Sequence, residues 1–239
     1  MDGRDLRPGR PLFSAAARPW AAGLLACCVI LVATLGVLFA HQTDADWLDH
    51  AVDAPVISWF GGHMGLALWL ISPGSPVPVA VLSAAIAVAC LLTGQLNGAV
   101  LAAAAVPVAD GLVEGLLKPL VHRTYLGDVA YPSGHTAAIC AVASTVTVLL
   151  LIPPRPARAR ALQILIPAAA CVAGFVVAVT LIGMRWHYFT DTVAGAAVGI
   201  GTVCGLALIL DLPAVRGLLA RAGRPRSRVR ETPRPRGAG

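Results

Sequence analysis

Apolar stretches able to cross the roughly 30 Å hydrocarbon core of a bilayer occupy residues 20–40, 77–92, 98–117, 135–152, 162–182 and 190–210. Lipid offers a backbone no hydrogen-bond partners, so each stretch is expected to close its own bonds as a helix. The fold class that follows is all-α, a polytopic membrane helical bundle of about six transmembrane helices. Composition agrees. Hydrophobic residues make up 57% and charged residues 13% of the chain, against roughly 25% charged in a soluble domain. That balance excludes an ordinary cytosolic globule, and it excludes disorder as the main state.

Residues 47–72 read differently. Asp49 and Asp53 alternate at helical spacing with Trp47, Leu48, Val52, Val56, Ile57 and Phe60, and Gly61, Gly62 and His63 interrupt the run. This pattern predicts an amphipathic helix lying in the interface rather than a seventh span. Cys27, Cys28, Cys90, Cys140, Cys171 and Cys204 all lie inside apolar runs, without the spacing of a disulfide framework or a zinc site, and read as packing residues.

Arginine placement orients the bundle. Basic residues concentrate in cytoplasmic loops near span ends. With an even number of spans, the N-terminal arginines (Arg4, Arg7, Arg10, Arg18), the loop with Arg155, Arg158 and Arg160, and the tail from Arg216 to Arg236 all fall inside. The start resembles a signal peptide, but its apolar run is as long as a spanning helix and is expected to stay as an anchor. The division is then a cytoplasmic tail at 1–19, a membrane domain at 20–211 and a disordered basic cytoplasmic tail at 212–239 near anionic headgroups. Lys118, Arg123 and Arg185 are left on the outer side, against the rule, in loops that also hold His122, His135 and His187.

Those loops carry the chemistry. Tyr131-Pro132-Ser133-Gly134-His135-Thr136 has the form of a helix start, where Ser133 can cap and Gly134 lets an anion approach the backbone. Free N–H groups and the positive dipole end make such a terminus an anion site, with His135 at its rim. The plain alternative is an N-cap with an interfacial histidine. Lys118, the only lysine, reads by itself as a snorkelling residue at a span end. Asp191 follows His187 at i+4, so the carboxylate can hold one ring nitrogen and aim the other outward, or the pair is a structural hydrogen bond. Together, two histidines, three cations and a helix N-terminus point to chemistry on a phosphate, with one histidine attacking and the other protonating the leaving oxygen. Clustered cations repel a metal ion, and no HExxH or paired-cysteine pattern appears.

In order and spacing, Lys118 and Arg123, then Pro132-Ser133-Gly134-His135, then His187 and Asp191 resemble the three signature motifs of the type 2 phosphatidic acid phosphatase superfamily. These integral membrane lipid phosphatases are related to vanadium haloperoxidases, and the resemblance covers roughly residues 77–210. It implies an outward-facing site and metal-independent hydrolysis through a phosphohistidine. His187 matches the nucleophile, Asp191 its orienting carboxylate and His135 the general acid that later activates water. Lys118, Ser133 and Gly134 match phosphate-binding positions. Where the family has Arg-Pro seven residues past the lysine this chain has Tyr125-Leu126, leaving Arg123 as the nearest substitute. Where it has Ser-Arg before the nucleophile this chain has Thr180-Leu181, leaving Arg185 as a displaced one.

The expected partners are a lipid phosphate substrate and the plasma or inner membrane, with no nucleic acid, no cofactor and no metal, and nothing in the sequence specifies an oligomeric state. Candidate substrates are a polyprenyl diphosphate, phosphatidic acid or phosphatidylglycerol phosphate. Asp110 and Glu114 lie at i and i+4 inside the third span, where ionisable groups are costly, as partners for Arg123, a polar path or a buried structural network. A transporter or scaffold coupled through these acids, and a phosphotransferase, are the competing readings.

Overall fold

The computed structural model of the chain describes residues 11–151 and 157–222. Its helices are α1 (Arg18–Leu38), α2 (Trp47–Phe60), α3 (Met64–Ile71), α4 (Pro76–Leu92), α5 (Leu96–Leu112), α6 (Lys118–Val121), α7 (Gly134–Leu151), α8 (Ala157–Gly183), α9 (Phe189–Leu210) and α10 (Pro213–Ala222). Among the described residues, five rods are long and apolar enough to cross a membrane: Arg18–Leu38, Met64–Leu92, Leu96–Val121, Ala161–Gly183 and Phe189–Leu210. The sixth expected span is the shorter apolar helix over Gly134–Leu150. The protein is therefore a polytopic helical bundle.

At the centre stands α9, against which α7, α1 and α5 pack, while α8 and α4 close the flanks. Two glycines set how closely α7 and α9 cross. A Cβ at Gly195 would strike the carbonyl oxygen of Ser133 within 2.4 Å, and one at Gly199 would strike that of Ala137 within 2.3 Å. Small residues four apart let backbones touch in lipid, where no hydrophobic effect drives helices together. This contact brings the N-termini of α7 and α9 to the same end of the bundle. Ser133 N–H seals the junction by donating to the Asp191 carbonyl across 3.0 Å.

Three local expectations are corrected. The stretch 47–72 is not one interfacial helix. Met64–Ile71 carries no charge, so it joins α4 through a 3₁₀ turn over Ser72–Gly74 and extends that span. The remaining α2 does not turn its acids to water: Asp49 and Asp53 are buried against α9, and Phe60 is buried as well, while Trp47 and Trp59 are exposed. Finally, the basic tail does not begin as disorder at 212. Pro213 opens α10, and Val215 and Leu219 pack on the main core. Arg4, Arg7, Arg10, Arg155 and the arginines beyond residue 222 lie outside the described residues.

A short hairpin escaped the sequence reading. Thr124–Tyr125 (β1) pairs antiparallel with Asp128–Val129 (β2). Leu126 and Gly127 between them both have positive φ, 51° and 95°, as a tight two-residue turn requires. With four strand residues the fold remains all-α. The hairpin spans the gap between α6 and α7 and fixes Arg123, whose carbonyl accepts Ala130 N–H at 2.9 Å.

Candidate active site

A cavity of about 520 Å³ opens at the end of the bundle where α7 and α9 begin. Its walls include Lys118, Gly134, His135, Arg185 and His187 from the expected set, together with Glu114, Tyr125 and Trp186. Residues from 114–135 and from the distant 184–187 are thus brought to one space.

Lys118 reaches the cavity from a rod that changes pitch just before it. Val113–Leu117 forms a π-helical turn between α5 and α6, a distortion often found at functional sites. Glu114 on that turn accepts a hydrogen bond from Lys118 Nζ at 2.6 Å. Neither Glu114 nor Asp110 pairs with Arg123: Glu114 lines the cavity, and Asp110 is exposed on the outer face of α5.

Arg185 stands where a helix terminates. Its N–H donates to Ile182 O at 2.9 Å and Trp186 N–H donates to Leu181 O at 3.0 Å, the two bonds of a Schellman cap with Arg185 at the left-handed position. Its φ is 58°. Glycine is usual there, and an L-residue costs about 1–2 kcal/mol. The strain turns the chain sharply after α8 and leaves an exposed guanidinium at the cavity wall beside His187.

The placement of Arg123 differs from that of a phosphate ligand. It is fully buried and does not line the cavity. Nη1 donates to Asp191 Oδ1 at 2.8 Å and to Thr190 Oγ1 at 2.7 Å, and Nη2 is ion-paired with Asp49 Oδ2. Its guanidinium is also sandwiched between the rings of Phe39 and Tyr188, at 4.2 and 4.3 Å from their centroids. Arg123 is a clamp on carboxylates, so Lys118 and Arg185 are the basic side chains that reach the cavity.

Asp49, Asp53 and Thr190 were missed in the sequence. Asp49 Oδ1 accepts Thr190 N–H at 2.9 Å and Asp53 Oδ1 accepts Phe189 N–H at 3.1 Å. Two carboxylates of α2 therefore satisfy the first N–H groups of α9, and Asp191 Oδ2 takes the Tyr188 N–H at 3.0 Å. This leaves the α7 terminus, not that of α9, to receive an external anion. Burial first, then the charge of Asp49, pushes the Asp53 carboxyl up to about 7. Burial likewise pushes the Tyr188 phenol up to about 12, keeping it a neutral donor to Thr43 O at 3.2 Å.

The His187–Asp191 pair forms, but loosely. His187 Nδ1 lies 3.8 Å from Asp191 Oδ2, beyond hydrogen-bond reach, and is buried without another partner. Nε2 is the nitrogen left to the cavity. Ser133 sits behind the cavity wall, fully buried, with Oγ 3.1 Å from Thr136 Oγ1 and accepting Thr136 N–H at 3.4 Å. It caps α7. His122 is exposed, its ring 6.1 Å from that of His41, and stands outside the cavity.

The sequence profile of the PAP2 superfamily matches residues 84–212. Among solved structures, the chain is similar to the first transmembrane PAP2-type phosphatidylglycerolphosphate phosphatase from Bacillus subtilis. The TM-score is 0.57 at 17% identity, over 80% of this chain and 95% of that one. No curated protein sequence matches.

Proposed function

The chain belongs to the PAP2 superfamily, a membrane phosphatase family, and from that premise we propose that it hydrolyses a lipid phosphomonoester or diphosphate through a phosphohistidine on His187. The observation that carries this reading is the single cavity walled by both histidines, Lys118 and Arg185 at the N-terminus of α7. The phosphate rests on Lys118, Arg185 and the backbone around Gly134, which offset the charge that develops on its oxygens. His187 Nε2 attacks phosphorus, the bond to the lipid oxygen breaks, and that oxygen takes a proton from His135. Water then attacks phosphorus as His135 takes back a proton. The P–N bond breaks and inorganic phosphate leaves.

Asp191 acts on the step in which charge appears. A phosphorylated imidazole is cationic, and the 3.8 Å gap to Asp191 Oδ2 is one that charging the ring draws closed. Arg123 fixes Asp191 from the other side and belongs to positioning. The cations supply the charge stabilisation, so the reaction needs no metal.

The exposed Leu120, Leu126 and Trp186 form an apolar lip for a substrate whose tail stays in lipid. Both termini are assigned to the cytoplasm and the cavity to the outer face of the plasma membrane. A phosphate-release assay should cover phosphatidic acid, polyprenyl diphosphate and phosphatidylglycerol phosphate, the last being the substrate class named for the structural neighbour. Release from at least one lipid that survives EDTA is expected. Release from none, or a requirement for added zinc, overturns the proposal.

A further inference from the structure

Glu114 places a carboxylate inside the cavity that the phosphatase reading assigns to an anion. Its Oε1 is 2.6 Å from Lys118 Nζ and 3.2 Å from where a Cβ of Gly134 would be. The side chain is half exposed and lines the same space as His135, Arg185 and His187. It therefore touches one of the groups assigned to the substrate phosphate, the only lysine of the chain, and lies beside another, the glycine that opens α7. A Cβ at Gly134 would crowd the carboxylate and make it shift slightly.

An ammonium group in contact with one carboxylate cannot give its full field to a second anion. Two anions beside one lysine also repel each other, most strongly when the second is a dianion. Resting on the phosphatase reading, we infer that Glu114 is an internal competitor for Lys118 and a determinant of how tightly the site holds phosphate. Phosphate binds by displacing Glu114 from Lys118, and Glu114 returns as inorganic phosphate departs. The displacement costs substrate and product alike, and a lipid substrate offsets it with tail contacts that free phosphate lacks.

The π-helical turn suits this role. It ends at Leu117, immediately before Lys118, and sets the i,i+4 register in which the two side chains meet. With Glu114 half exposed and outside the core, its substitution removes no buried contact on which folding depends.

The test is direct titration of detergent-solubilised full-length protein with vanadate, together with inhibition by inorganic phosphate during turnover. Glu114→Gln and Glu114→Ala are both expected to bind vanadate about tenfold more tightly than wild type and to show product inhibition at correspondingly lower phosphate. Lys118→Ala is expected to loosen both. A merely structural salt bridge gives the opposite sign, because losing it leaves Lys118 less well placed. Unchanged or weaker binding in either Glu114 variant overturns the inference. Wild-type protein that neither binds vanadate nor releases phosphate overturns the phosphatase reading instead.

Discussion

Arg123 Nη1 donates to Asp191 Oδ1 across 2.8 Å with neither side chain exposed to solvent, and the same guanidinium is shared with Asp49. One cation thus holds two carboxylates from helices α2 and α9. The sharing matters for chemistry: an arginine serving Asp191 alone would neutralise it, whereas a shared one leaves net negative charge facing His187.

Removing that cation strands two buried carboxylates. Arg123→Met is expected to destabilise the protein by about 3–5 kcal/mol, the usual cost of breaking a buried ion pair. Arg123→Lys should recover little, because an ammonium cannot bridge both acids while stacked between Phe39 and Tyr188. Thermal unfolding in detergent measures this, and a near-wild-type melting temperature for Arg123→Met contradicts the clamp.

Asp191→Asn loses the charge and keeps one acceptor oxygen, for Arg123 or for the Tyr188 N–H but not for both, while Asp49 and Thr190 still hold the guanidinium. The fold is expected to persist while kcat falls about 10²- to 10⁴-fold, in the range found when a catalytic histidine loses its carboxylate. KM should change far less, since Asp191 does not reach the cavity. Steady-state kinetics on the purified variant checks the split.

Asp53 gives a pH signature. Its carboxyl is raised from 3.8 to about 7, so its neutral form is the one the fold favours. The stability it contributes is complete below about pH 4 and is lost as pH rises through about 7. Asp53→Asn keeps a cap for Phe189 N–H and cannot ionise. The melting temperature of Asp53→Asn relative to wild type is therefore expected to climb between about pH 4 and pH 7 and level off above. A pH-independent difference would mean that Asp53 ionises freely.

Much of this architecture was legible in the chain. The apolar stretches marked the bundle because a helix in lipid needs a run of fixed length, and Lys118 and Arg185 drew notice because basic residues on the outer side run against the cytoplasmic bias, in loops that also hold His135 and His187. What escaped detection depends on depth and direction. Asp49 and Asp53 looked like the wet face of an interfacial helix, since spacing alone does not say which side of α2 meets α9. Arg123 looked like a phosphate ligand because sequence gives its distance from Lys118 but not its burial under Phe39 and Tyr188. The φ of Arg185 and the hairpin turn at Leu126-Gly127 had only weak signals, a non-glycine residue at a helix end and a lone glycine.

Orientation is open to direct labelling. Leu126 and Arg221 are exposed at opposite ends of the bundle. With a membrane-impermeant thiol reagent on intact cells, Leu126→Cys should react and Arg221→Cys should react only after permeabilisation. The reverse pattern would place the cavity on the cytoplasmic side.

The most direct test concerns the phosphorus atom itself. Radiolabelled lipid phosphate is mixed with the enzyme, quenched without acid within the first turnover, and the phosphorylated peptide is mapped by mass spectrometry. Phosphate is expected on His187, with His187→Ala losing both the label and turnover and His135→Ala retaining a label it hydrolyses slowly. Label on His135, or turnover that survives in His187→Ala, contradicts the assignment of His187 as the nucleophile.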